Sequence, residues 1–202
     1  MQLNSLRARA RRSSRGVSLI EVLVAILVLL FGILGMVGLQ ARASQAEFES
    51  YQRRQALILL QDMMDRLRAN IVVASCYAIT DAQDGAPYWG GPGSQASSPC
   101  ASSGSLTGTA EQRLTAVADI QEWTDMLSGV AEKKSGTNVG VMIDARGCIS
   151  DLGGGLFSVA VAWQGTSSTS APPSALTCGK DLYASEGQRR VVSATVLTPQ
   201  LN

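Results

Sequence analysis

The chain has 202 residues with 17 basic and 16 acidic side chains, no histidine and four cysteines. That length allows one membrane helix and one globular domain of roughly 130 residues but no second large domain. Without histidine there is no Ser-His-Asp or Cys-His chemistry and no commonest zinc ligand, so the composition argues against an enzyme.

Residues 1–15 form a polar leader that holds Arg7, Arg9, Arg11, Arg12 and Arg15 and no acid. Set those five aside and 12 basic residues face 16 acidic ones, a balance of −4, which argues against nucleic acid as a main partner. Gly16-Val17-Ser18-Leu19-Ile20-Glu21 then opens an apolar run that reaches Leu39 with Glu21 as its single charge. As a helix the run spans about 35 Å, enough to cross a bilayer. The arginines orient it, leader inside and everything after Leu39 exported. An acid in a membrane span costs about 2.5 to 3.5 kcal/mol at the centre and less near an end, so Glu21 calls for a cationic partner. Ala41-Arg42-Ala43 offers a competing signal-peptidase cue, but the run is longer than a secretory apolar region and contains an acid. Gly32, Gly35 and Gly38 recur every third residue, which lowers helix stability yet lets helices approach closely.

From Gln40 to Asn70 neither Pro nor Gly interrupts the chain. Phe48, Tyr51 and Gln55 lead into Ala56, Leu60, Met63 and Leu67, whose spacing makes one apolar face, and Met63-Met64 reads as core filler. Glu49 with Arg53 and Asp62 with Arg66 are i, i+4 pairs in the favourable order. The helix thus extends from the membrane run, about 80 Å from Val17 to Asn70, with an amphipathic exported half that must pack on something.

The stretch Asp81–Thr109 is rich in Gly, Ser, Ala and Pro and reads as a long loop, with Tyr88 and Trp89 expected to pack on the domain. Thr109 to Gln112 reads as a capping box before a second helix with Ala116, Ile120, Trp123 and Leu127 on one face and Gly129 at its end. Strands are expected at Val139–Ile143, Phe157–Trp163 and Val191–Val196, forming an antiparallel sheet against the amphipathic half of the long helix, an α+β plan. Cys76, Cys100, Cys148 and Cys178 follow the span into an oxidising compartment and read as two disulfides. Of three pairings, Cys76 with Cys100 and Cys148 with Cys178 is favoured because each closes a short, weakly specified segment; spacing alone leaves the others open. Asp144, Asp151 and Asp181 lack the spacing of a calcium loop and read as solvated turns, so no metal or other cofactor is expected.

A basic leader ending in Gly, followed by an apolar run whose fifth residue is Glu, resembles the class III signal of type IV pilins and pseudopilins. The resemblance implies cleavage between Gly16 and Val17 by a prepilin peptidase, N-methylation of Val17, and docking of Glu21 on the amino terminus of a neighbouring subunit. Val17 departs from the Phe usual there. The implied fold is a long helix, membrane-spanning over 17–39 and periplasmic over 40–70, packed on a head domain over 71–202 after removal of the leader 1–16. Residues 148–178 resemble the disulfide-bounded C-terminal region of that family. Gln61-Asp62-Met63-Met64-Asp65-Arg66-Leu67-Arg68-Ala69-Asn70, Asp119-Ile120-Gln121-Glu122-Trp123, Val159-Ala160-Val161-Ala162-Trp163-Gln164 and Arg189-Arg190-Val191-Val192 are similar to PilV-type minor pilins. These imply a subunit in the bacterial inner membrane, its C-terminus in the periplasm, that joins other minor pilins and the major pilin to prime a pilus used in twitching motility. A type II secretion pseudopilin shares the same N-terminal features.

Overall fold

The structure, a computed structural model, describes residues 16–92, 97–101, 107–129, 133–134, 137–138 and 142–198. The chain divides into two units, Met1–Ser44 and Gln45–Asn202. Helix α1, Leu19–Ala69, is continuous through Gly32, Gly35 and Gly38 and carries no proline. In the first unit every described residue is solvent-exposed. In the second, α1 buries Gln52, Ala56, Leu59, Leu60, Met63 and Leu67, one stripe at helical spacing. The face expected from Ala56, Leu60, Met63 and Leu67 is the core face, widened by Leu59 and Gln52. Phe48 and Tyr51 are not part of it: they are 41% and 45% exposed, Tyr51 because it turns away from that stripe and Phe48 because it lies one turn before the first buried residue, Gln52.

After α1 the chain tightens into a 3-10 turn over Ile71–Cys76, and the Asn70 side-chain amide reaches across to the Gln112 carbonyl at 2.8 Å. Helix α2, Ala110–Leu127, opens with the expected capping box: the Thr109 hydroxyl accepts from the Gln112 N–H at 3.2 Å, and the Gln112 side-chain oxygen accepts from the Thr109 N–H at 2.9 Å. Past its end Gly129 takes a φ of 67°. Its buried face is Ala116, Ile120, Trp123 and Leu127, and the Trp123 indole N–H donates to the Leu59 carbonyl of α1 at 2.9 Å.

Two short strands, β1 (Lys133–Lys134) and β2 (Thr137–Asn138), pair with each other. The main sheet is antiparallel in the order β3 (Ile143–Asp151), β4 (Leu156–Gln164), β5 (Arg189–Leu197). Alternation along β4 and β5 puts Phe157, Val159, Val161, Trp163, Val192 and Val196 into one core with the stripes of α1 and α2. Cys148, Ala160, Ala162 and Cys178 line the other face. The expected first strand is displaced: it begins at Ile143 rather than ending there, and Val139 to Val141 lie outside the described residues. Residues Ala145 to Ser150 of β3 are all buried, so both faces are covered and no alternation marks the strand.

The cysteines join sequentially. Cys76–Cys100, with Cα atoms 5.3 Å apart, ties the turn after α1 to a 3-10 turn at Pro99–Ala101. Cys148–Cys178, with Cα atoms 5.8 Å apart, holds the connection between β4 and β5 on the outer face of the sheet. Closing loops of 24 and 30 residues contributes about 3.5 kcal/mol each in the chain-entropy model.

Candidate functional site

The first unit carries the residues singled out from the sequence. Gly16, Val17 and Ser18 are non-helical and exposed, and a Cβ added at Gly16 meets nothing within 4 Å, so among the described residues nothing covers the Gly16–Val17 bond. Helix α1 then starts with the Glu21 N–H donating to the Ser18 carbonyl at 3.0 Å and the Val22 N–H donating to the same oxygen at 3.3 Å. Glu21 therefore sits in the first helical turn, where the helix dipole favours a negative charge. It has no ion-pair partner among the described residues. Around and beyond it the helix presents Leu19, Phe31, Met36 and Leu39 at 78%, 68%, 69% and 72% exposure, and the most apolar window has mean hydropathy 3.0 with none of it buried. Each such side chain left in water forgoes about 1.5 to 3 kcal/mol, so this surface demands lipid or other apolar helices around it. The helix passes the length and composition test for a membrane span.

The second unit contains three polar clusters whose distant partners local spacing does not reveal. Arg66 of α1 binds Asp62 at 2.8 Å, Asp119 at 2.8 Å and Glu122 at 2.9 Å, and the other Asp119 oxygen accepts from the Tyr77 hydroxyl at 2.7 Å. Burial opposes the Arg66 charge, but the three carboxylates outweigh it and raise its pKa. Burial and the Asp119 hydrogen bond likewise push the Tyr77 phenol up. Glu49, expected to pair with Arg53, instead accepts from the Thr166 hydroxyl at 3.0 Å and from the Ser167 N–H and hydroxyl at 3.1 and 2.7 Å, with Arg190 at 3.5 Å. Three donors from the loop after β4 and a cation from β5 outcompete one solvated arginine on the same helix. Burial alone raises the Glu49 carboxyl; Ser167, Thr166 and Arg190 more than reverse that and hold it below the usual range.

Asp144, expected as a solvated turn, is also reassigned. At a φ of 51° it binds Arg146 at 2.8 Å, and burial pushes its carboxyl up despite that cation. The Arg146 guanidinium lies 5.1 Å from the Tyr88 ring centre and 4.7 Å from that of Tyr183, so β3, the long loop between α1 and α2 and the connection after β4 meet on one cation. Trp89 packs as expected, 2% exposed, with its indole N–H on the Tyr77 carbonyl at 3.3 Å. Asp151 accepts from the Gly153 N–H at 2.8 Å in an exposed turn, and Asp181 is exposed. Among the described residues no group of three or more Cys, Asp or Glu side chains is placed to hold a metal ion.

A long N-terminal helix, apolar and uncovered in its first half and packed on a three-stranded antiparallel sheet in its second, is the type IV pilin fold. The family comparison agrees. Residues 11–37 match the model of the prokaryotic N-terminal methylation motif, and residues 38–87 match that of type IV pilin Tt1218. The first match contains Gly16, Val17 and Glu21; the second runs from the end of the apolar run to Pro87. Together they support the type IV pilin superfamily, which is structural rather than enzymatic, and with it anchoring in a membrane and assembly with other pilins. No curated protein and no solved structure matches the chain.

Proposed function

We propose that the chain is a PilV-type minor pilin, a subunit that primes assembly of a type IV pilus together with other minor pilins and stands near the tip. The leader is cytoplasmic, prepilin peptidase cuts after Gly16, and Val17 becomes the methylated first residue of an inner-membrane helix whose head domain is periplasmic. One observation carries this reading: an exposed acid with no ion-pair partner among the described residues, in the first turn of an uncovered apolar helix, four residues after Val17. In lipid such a carboxylate is costly alone and favourable beside an ammonium group. The new α-amino group of a neighbouring subunit supplies that cation during assembly, which turns membrane extraction into paired burial. The reading is supported by the two family matches at the N-terminal half of the chain.

The test is the intact mass and N-terminal sequence of the protein taken from its own membranes. A chain beginning at Val17 and heavier by one methyl group is expected. A chain beginning at Ser44 would make it a soluble exported protein and remove the role of Glu21. Deletion is expected to abolish twitching motility with secretion intact; the reverse result assigns the chain to a type II secretion pseudopilus.

A further inference from the structure

The two edges of the main sheet are finished differently. On the β3 edge the Thr80 N–H donates to the Ile149 carbonyl at 2.9 Å and the Ile149 N–H to the Thr80 hydroxyl at 3.0 Å, while Trp89 and Gly147 exchange both backbone bonds at 2.7 and 2.8 Å. That edge is covered. The β5 edge has no such cover among the described residues. Its ladder with β4 is bracketed by the Gly165 N–H on the Gln188 carbonyl at 2.8 Å and the Thr198 N–H on the Gly155 carbonyl at 2.7 Å. Between these the antiparallel register is unbroken, so hydrogen-bonded pairs fall on alternate residues, and Arg190, Val192, Ala194 and Val196 turn their backbone groups toward β4. Val191, Ser193, Thr195 and Leu197 therefore turn theirs outward, and among the described residues nothing receives them.

Sheets usually blunt such an edge with lysine, proline, a bulge or a short strand. β5 has none of these: it is nine residues long, and from Val191 to Leu197 it is uncharged and in regular register. We propose that this edge is a strand-addition site for an extended, uncharged segment of a different subunit of the filament, which deepens the pilin reading above and rests on it.

A second copy does not fit. Antiparallel pairing of two β5 edges sets a two-fold axis normal to the sheet. That operation reverses the half of α1 packed against the sheet, so the two chains would leave from their Gln45 ends in opposite directions and could not both be anchored in one bilayer. Head-to-tail pairing needs a free β3 edge, which Thr80 and Trp89 occupy. The occupant is thus another chain. Its backbone meets four residues of β5, and its side chains lie beside Ser193, Thr195 and the 65% exposed Leu197 on one face and beside Val192, Ala194 and Val196 on the other. None of these neighbours offers a counter-ion, so the matching positions are uncharged, and small or β-branched residues suit them.

The test uses proline, which removes an N–H without touching the β4 ladder when placed at an outward position of an edge strand. Ser193→Pro and Thr195→Pro are made separately in the full chain in its own cells, beside Ser193→Ala and Thr195→Val, with a benzophenone amino acid at Leu197 as a photo-cross-linker. Both proline variants are expected to reach the membrane at the normal level with both disulfides formed, yet to lower filament number at least tenfold and to lose the cross-link to another pilin. The Ala and Val variants, which keep the backbone donor, are expected to behave as the parent chain. Normal filaments and an unchanged adduct in either correctly folded proline variant overturn the proposal, as does an adduct with a second copy of this chain. Deletion of the whole chain without loss of filaments overturns the pilin reading instead, and the cross-link then still decides the edge, because it reads pairing and not filaments.

Discussion

Arg66 and Asp119 stand 53 residues apart in the chain and 2.8 Å apart in the fold, and that contact fastens α2 to α1. Asp119 also accepts from Tyr77, so one carboxylate holds both helices and the segment that leaves α1. Asp119→Ala leaves the guanidinium of Arg66 and the phenol of Tyr77 each short of a partner in a mostly buried place. A loss of about 2 to 3 kcal/mol is expected, the range for breaking a partly buried charged network. Asp119→Asn, which still accepts from Tyr77, is expected to lose less. Denaturant unfolding of the full chain in detergent measures both, and equal stability of Asp119→Ala and the parent chain would show that the network carries no weight.

Gly147 lies where β3 passes under α2. A Cβ there would run into the Trp123 ring and stand 2.8 Å from Leu127 Cδ1, and Trp123 cannot withdraw without giving up its bond to the Leu59 carbonyl. Gly147→Ala is therefore expected to destabilise by about 1 to 3 kcal/mol through overpacking, although alanine is the better strand residue. The companion change Trp123→Phe, which keeps most of the ring and drops the donor, is expected to relieve part of that cost. Additive losses in the double variant would mean that the two positions are not in conflict.

These two positions also mark what spacing along the chain can and cannot reveal. The α1 stripe, the capping box of α2, the strands β4 and β5 and the motif at Gly16 to Glu21 are local patterns, set by periods of 3.6 or 2 residues or by neighbours within one turn, and they were readable directly. The position of β3 is not legible from spacing because its middle is buried on both faces and includes Arg146 and Gly147, so the usual alternation is absent. Arg66 with Asp119 and Glu49 with Ser167 join positions 53 and 118 residues apart, and no local spacing encodes which distant loop will bring the stronger set of donors. The i, i+4 rule succeeded for Asp62 with Arg66 and failed for Glu49 with Arg53 for that reason.

Stability should depend on pH through Glu186. Its carboxyl accepts from Arg189 at 2.8 Å, and that arginine, almost wholly buried, also donates to the Leu176 carbonyl at 2.6 Å and the Cys178 carbonyl at 3.1 Å. The Arg189 hydrogen bond holds the Glu186 carboxyl below the usual carboxylate value of 4.5. A lowered folded-state pKa stabilises the fold above the unfolded value and loses that contribution as pH falls from 4.5 toward the lowered value. The parent chain is thus expected to exceed Glu186→Gln in stability at pH 7, by about 1 kcal/mol for a largely solvated carboxylate on a buried cation, and the gap is expected to narrow as pH falls below 4.5. A gap that stays constant from pH 7 to pH 3 would place the effect in packing rather than in charge.

Glu21 sets the sharpest expectation about assembly. Glu21→Ala removes a carboxylate from an apolar helix, so insertion in the membrane should be at least as efficient as in the parent chain, by the insertion cost of about 1 to 3 kcal/mol that an acid near a helix end carries. If the carboxylate neutralises the amino terminus of a neighbour, the same variant should be cut after Gly16 and accumulate in the membrane but fail to enter filaments. Glu21→Gln distinguishes charge from hydrogen bonding: it keeps the length and an acceptor oxygen but offers an ammonium group no ion pair, and it is expected to fail as the alanine variant does. Filament incorporation measured by sheared-pilus recovery, alongside the membrane level of the processed chain, separates assembly from insertion. Normal incorporation of Glu21→Gln would mean that the acid is tolerated at the membrane edge and takes no part in docking.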